Sequence, residues 1–261
     1  MKRTPIALNV ADFPHSLQPL LRDTNVYDSS CSPEARVFFL ERDGGAYLKK
    51  APRGTLLREA EMARYFHKKG LTGEVLDYFS EEDDWLLTAR VAGEDCTHAA
   101  YLSDPKRLCD LLGERLRALH ELDGSDCPVQ NRMDAYFATA EANFARGAYD
   151  LSFYEKDYGR ATAEELIRLC REHRACFQND TLLHGDYCLP NIMLDDWRFS
   201  GFIDLGNGGM GDRHVDLYWG AWTLRFNLGT DAYRERFFDA YGREKITPEL
   251  LRVIAAAEVF G

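Results

Sequence analysis

Residues 181–209 read TLLHGDYCLPNIMLDDWRFSGFIDLGNGG, and the architecture follows from their spacing. Ile192-Met193-Leu194 and Gly201-Phe202-Ile203 are short apolar runs on either side of a polar stretch, the pattern of an antiparallel hairpin. A four-residue loop at 196–199 makes Asp195 face Ser200 and Asn191 face Asp204. A carboxamide oxygen and a carboxylate then converge at the open end, which is the hard-oxygen pair Mg²⁺ takes together with phosphate oxygens and water. Asp186 sits five residues before Asn191, in the loop entering the hairpin, where it can meet a substrate hydroxyl. A base beside a metal clamp suits phosphoryl transfer, whose loose transition state demands positioning and charge neutralisation.

Upstream, the same chemistry needs a cation for the phosphates. Val37–Leu40 and Ala46–Lys49 flank the turn Asp43-Gly44-Gly45 and predict a hairpin with Lys49 on its second strand. Gly54-Thr55 opens a helix that Gly70 closes, with Leu56, Ala63 and Phe66 on one stripe and Glu59 among them. A carboxylate on a buried stripe is costly unless paired. Lys49 is the partner on offer, and alternation of faces lets only Lys49 or Lys50 point inward; Lys49 is preferred. Strands are expected near 75–79 and 85–88, with Glu81–Asp84 a solvated turn between them.

Beyond Gly93 the periodicity turns helical, as in Leu108, Leu112, Leu116 and Leu119 and in the stretches 133–145 and 162–174. Helices resume from about Arg213. The expected fold is α+β, with a small β-rich lobe over 1–92 and a larger, mainly helical lobe over 93–261. Hydrophobic residues at 45% and charged residues at 29% suit a globular chain rather than a disordered one. A net charge of −11 argues against a nucleic-acid partner and suits a cationic small molecule. No apolar run is long enough for a membrane span, and the apolar stretch after Lys2-Arg3 is too short for a signal peptide. Seven cysteines without a C-x-x-C pair read as reduced thiols in a cytoplasmic protein, not as disulfides or a zinc site.

HGDYCLPN (184–191), IDLGNGG (203–209) and DRHVDL (212–217), with YLK (47–49), the REAEM helix (58–62) and AEVF (257–260), resemble the aminoglycoside phosphotransferase family within the protein-kinase-like bilobal fold. The similarity spans Ser32 to Phe260 and is strongest to the branch that phosphorylates a 3′-hydroxyl, the kanamycin kinases. The resemblance implies that Asp186 is the catalytic base, that Asn191 and Asp204 bind Mg²⁺, and that Lys49, paired with Glu59, grips the phosphates of ATP or GTP. It further implies that Tyr47 stacks on the base, that Ala89 and Val91 form the hinge that hydrogen-bonds it, and that Ser32 covers a phosphate. Glu155, Asp157, Glu258 and Asp150 fall in the regions where the family gathers a cationic aminosugar. The chain is expected to act as a monomer or weak homodimer.

The sequence departs from the family at its substrate wall. Arginine is usual where this chain has Asn207 and Trp222, and acidic residues are usual at Phe226 and Ala257, while Gly261 follows the usual terminal phenylalanine, Phe260. An alternative is therefore a kinase of the same fold acting on another hydroxylated or cationic metabolite, and a rival of another class is a non-catalytic nucleotide-binding module. His184 reads as a structural hydrogen-bonder, Asp195 and Asp196 as solvated turn residues, and Trp219 and Trp222 as core, while the resemblance implies that Asp216 braces the catalytic loop rather than serving as a third metal ligand.

Overall fold

The computed structural model describes residues 3–31, 33 and 35–261. The apolar runs around the Asp43-Gly44-Gly45 turn form the strands Arg36–Glu41 and Ala46–Pro52. All three turn residues take positive φ, which a reversal this tight requires. The pair lies at the middle of an antiparallel sheet ordered Thr4–Pro5, Asn25–Asp28, Arg36–Glu41, Ala46–Pro52, Asp83–Ala89, Val75–Ser80. Period-two alternation then sorts the side chains. Phe38, Leu40, Leu48, Trp85 and Leu87 pack on one face with Leu17 and Leu21. Ala51 and Leu86 face the other way, onto Leu56 and Ala60.

The helix covering that second face is Leu57–Lys68, whose buried stripe is Ala60, Met62, Ala63, Tyr65 and Phe66. It ends at Gly70 in the left-handed region (φ 71°), the usual terminator. Its start is held by Asp84, which corrects the expectation of a solvated Glu81–Asp84 turn. Asp84 belongs to the strand Asp83–Ala89 and is wholly buried. Its carboxylate accepts the Leu56 N–H at 2.9 Å and the Ser80 hydroxyl at 2.6 Å. A charge leaves water only for such partners; nothing in the acidic run distinguished it from its neighbours.

The hairpin of strands Ile192–Asp195 and Arg198–Phe202 exists, but not in the expected register. Asp196 and Trp197, with φ of 47° and 63°, make a two-residue turn, so Asp195 faces Arg198 and Leu194 faces Phe199. The ladder then slips beside Ser200, Gly201 facing Met193, as a β-bulge does. The Ile203 N–H donates to the Asn191 carbonyl at 3.0 Å. Asn191 therefore faces Ile203, and Asp204 lies one residue beyond, in the left-handed region at φ 59°.

This hairpin adds to the strand Glu94–Asp95. The Phe202 N–H also reaches the Leu71 carbonyl at 2.7 Å, and the Thr72 hydroxyl the Phe202 carbonyl at 2.6 Å. Those bonds explain why Pro190–Gly206 joins the residues up to Asp95 in one structural unit, whereas a single boundary at 92/93 assigned it to the helical part. The second unit comprises Cys96–Leu189 and Asn207–Gly261. Its helix Pro105–His120 starts on Asp104, which accepts the Arg107 N–H at 3.3 Å, and buries Leu108, Cys109, Leu112 and Leu116 completely. Gly113 lets the helix Arg234–Tyr241 approach: a Cβ there would come within 2.7 Å of the Phe237 carbonyl oxygen. Ala163–His173 is capped by a Thr162/Glu165 capping box, and Pro248–Glu258 is buried along most of its length. Among the described residues no helix is long and apolar enough to cross a membrane.

Asp84→Ala removes the acceptor of two hydrogen bonds inside the first unit. It should lower unfolding stability by about 1–3 kcal/mol, read by thermal melting, with Asp84→Asn losing less; an unchanged melting temperature in the alanine variant would contradict this role.

Candidate active site

Alternation along Ala46–Pro52 separates the two lysines as expected. Lys50 pairs with Asp83 at 2.8 Å and lies 5.2 Å over the Trp85 ring, on the face away from the helix. The Lys49 Nζ donates to Glu59 Oε2 at 2.8 Å and to Asp204 Oδ1 at 2.9 Å. Burial works against its charge, but the two carboxylates outweigh that and hold the ammonium well above the usual lysine range. Only 12% of the Glu59 side chain is exposed, against 51% of Asp204. One carboxylate is thus sealed in as an anchor while the other still faces solvent.

These groups line a cavity of about 220 Å³ with Tyr47, Ala89, Val91 and Asn191. Tyr47 is fixed from behind, its hydroxyl accepting from Arg3 at 2.9 Å and its ring 5.1 Å from Phe39. At the expected hinge the Ala89 N–H donates to the Glu74 carbonyl at 2.8 Å, so a hydrogen bond from Ala89 to a base would come from its carbonyl. Ser32 lies outside the described residues; Cys31 and Ala35 line the cavity. The slipped register does not remove Asn191 or Asp204 from the cavity. The half-exposed carboxylate and the carboxamide are hard oxygen donors, a set that fits Mg²⁺ once phosphate and water complete it.

In the second unit, the loop after the strand Thr181–Leu183 carries Asp186. Asp216 organises it: one oxygen accepts the His184 N–H and the other the Gly185 N–H, both at 2.8 Å. His120 adds a bond to Asp216 at 3.1 Å and meets the Tyr241 hydroxyl at 2.9 Å through its other nitrogen. Burial lowers the His120 pKa in spite of Asp216, and Nε2 donates to the Asp216 carboxylate. His184 Nδ1 accepts the Asp186 N–H at 3.2 Å, a structural hydrogen bond as expected. Gly185 is obligatory, since φ is 84° and a Cβ would sit 1.9 Å from the Asn207 carbonyl oxygen. Asn207 in turn receives the Arg132 guanidinium on its carbonyl at 2.9 Å and its side-chain oxygen at 3.2 Å. That guanidinium comes from the first residue of the helix Arg132–Ala145.

The four acidic candidates of this unit differ. Glu155 and Asp150 are exposed, and Asp150 accepts the Ser152 N–H at 2.9 Å. Asp157 is not an available carboxylate: Arg225 and Arg234 both pair with it, and only 11% of its side chain is exposed. Two guanidiniums from later in the chain account for that, against its reading as a substrate contact. Glu258 is buried, its Oε1 accepting from the Tyr136 hydroxyl at 2.7 Å and from Trp219 Nε1 at 2.9 Å. Burial, reinforced by Asp186 and opposed by those donors, pushes its carboxyl up to about 7. His120, Arg132 and Tyr136 escaped the sequence reading because each lies on a helix whose periodicity reports packing alone. Trp219, read as core, does carry a polar contact.

The sequence model of the phosphotransferase enzyme family matches residues 32–254. A protein of Lactococcus lactis subsp. lactis named "Probable aminoglycoside 3'-phosphotransferase" is 48% identical over 98% of this chain and 98% of its own. The crystal structure of an aminoglycoside-3'-phosphotransferase of type VIII superposes with a TM-score of 0.77 at 24% identity, over 95% of this chain and 100% of that one. An aminoglycoside phosphotransferase from Streptomyces rimosus, solved in complex with ADP and streptomycin, gives 0.69 at 25% identity over 87% and 91%. The fold is the one the sequence led us to expect.

Glu258 also sets a pH dependence. Its carboxyl is raised in the folded state from 4.5 to about 7, so its contribution is fully present below 4.5 and is lost as pH rises through 7. Between those values it should remove up to about 3 kcal/mol of stability. Glu258→Gln should flatten that slope in melts recorded across the interval; a slope like that of the wild type would contradict the assignment.

Proposed function

Because the chain belongs to the phosphotransferase enzyme family, we propose that it transfers the γ-phosphoryl group of ATP or GTP to a hydroxyl of an aminoglycoside, the 3′-hydroxyl, and so confers resistance. The strongest support is the Lys49 ammonium held between the sealed carboxylate of Glu59 and the half-exposed one of Asp204. An anchored cation in a cavity lined by a carboxylate and a carboxamide is what a nucleoside triphosphate needs.

The first unit takes the nucleotide. Tyr47 offers a ring face to the base, Ala89 and Val91 lie along its edge, and Lys49 meets the phosphates. Asn191 and Asp204 would hold Mg²⁺, which neutralises phosphate charge when bound. The second unit takes the acceptor. Asp186, fixed in its loop by Asp216 and Gly185, accepts the proton of the attacking hydroxyl or aims it in line. Glu155 and Asp150 supply negative charge for the ammonium groups, Glu258 adds a carboxyl that a nearby ammonium would help to ionise, and the net charge of −11 draws a polycation toward the protein. The reaction belongs in the cytoplasm, which supplies the nucleotide and suits seven free thiols, and a monomer or weak homodimer suffices for it.

Asp186→Ala should lower turnover about 10³-fold, the middle of the range for loss of a general base, while nucleotide affinity stays within about twofold. Mass spectrometry of kanamycin incubated with protein, Mg²⁺ and ATP or GTP reads the gain of one phosphate. Turnover retained in the variant, or no phosphorylated product from the wild type, would contradict the proposal.

A further inference from the structure

The first strand of the sheet has no part in the chemistry described so far. Thr4–Pro5 pairs with Asp28 and Tyr27, and the Ile6 N–H donates to the Val26 carbonyl at 3.0 Å. Two residues make a very short strand, and both are exposed, so apolar burial does not hold the segment; a terminus left untied frays. The residue just before the strand supplies the tie. The Arg3 guanidinium lies 3.7 Å over the centre of the Phe39 ring, and its Nη2 donates to the Tyr47 hydroxyl at 2.9 Å. Phe39 is buried, so the cation rests on a fixed ring.

Strand register explains how one side chain reaches both rings. Tyr27, Phe39, Tyr47 and Thr88 face one another on four neighbouring strands, and residues in such a row share a face of the sheet. Lys49, two positions beyond Tyr47, shares that face, and Tyr47, Lys49 and Thr88 all line the cavity. Tyr27 and Phe39 have their centroids 6.0 Å apart, Phe39 and Tyr47 5.1 Å. A row of three rings therefore runs along the sheet into the cavity, with Arg3 across its middle member. The charge is answered at the outer end. Hydrogen bonds from Asn25 and Tyr27, together with the Arg3 charge, hold the Glu41 carboxyl below its ordinary value.

We propose that Arg3 is a positioning residue for the nucleotide: it fixes the Tyr47 ring before the base arrives and makes the N-terminal strand part of the donor site. The role rests on the nucleotide reading given above. A tyrosine free to turn must be ordered when a base stacks on it, which costs about fivefold in affinity. Held at its hydroxyl and flanked by Phe39, Tyr47 is already ordered. A ring face accepts any base, so ATP and GTP gain alike. The gain is equal in the ground and transition states and so falls on KM rather than kcat.

Arg3→Ala should raise the KM for ATP and for GTP by the same factor, roughly fivefold, and leave kcat and the KM for kanamycin unchanged. Inhibition by magnesium tripolyphosphate, which has no base, should keep its strength. Arg3→Lys, which retains a cation and a donor, should recover most of the loss. Tyr47→Phe keeps the ring but removes the hydroxyl, and adding Arg3→Ala in that background should raise the nucleotide KM no more than about twofold further. An unchanged nucleotide KM in Arg3→Ala, an equal weakening of tripolyphosphate inhibition, or effects that multiply in the double variant would overturn the role. A wild-type protein that transfers phosphate from neither ATP nor GTP would instead overturn the nucleotide reading, and this role with it.

Discussion

One partly buried ammonium constrains the first unit. Lys49 cannot lose its water without compensation, and the compensation fixes both partners: Glu59 on the helix Leu57–Lys68 and Asp204 after the hairpin. Those two carboxylates come from elements far apart in sequence and would repel one another without the cation between them. The sheet, its covering helix and the hairpin are thereby held around a single charge. Removing Lys49 would strand the sealed Glu59 carboxylate, which is costlier than losing a surface pair.

The second unit solves a related problem with a carboxylate. Asp216 has no exposure to solvent and directs both oxygens to the backbone of the loop bearing Asp186, with His120 as a further donor. Every bond goes to a fixed group, so the loop is rigid before any substrate arrives, the preorganisation that positioning chemistry demands. The acidic wall is more varied. Glu258 is buried and bonded on one oxygen, Asp157 is neutralised by two arginines, and Asp150 and Glu155 meet water. Negative charge in the same stretch of sequence thus serves quite different ends.

Much of this site is legible in the sequence. The hairpin ending in Lys49, the choice of Lys49 over Lys50 and its pairing with Glu59 follow from alternation and from the cost of a lone buried carboxylate. His184 as a structural hydrogen-bonder is also readable, and the family resemblance implies Asp216 as the brace of the loop. The register around Asp204 is not, because the turn at Asp196–Trp197 needs left-handed backbone at two residues that are not glycine, and Ser200 gives no sign of the bulge beside it. Asp84 looks like its solvated neighbours since only tertiary packing buries it. Asp157 cannot be separated from Glu155 by pattern, as its arginine partners lie 68 and 77 residues further along the chain.

Calorimetric titration of a non-hydrolysable ATP analogue, with and without Mg²⁺, probes the metal clamp in the wild type and in Asp204→Ala. Mg²⁺ should tighten binding to the wild type, whereas the variant should bind the metal-free nucleotide nearly as well but gain little from the ion. A variant that keeps the full Mg²⁺ enhancement would show that Asp204 does not hold the metal, and the roles of Lys49, Asn191 and Asp204 would have to be reassigned.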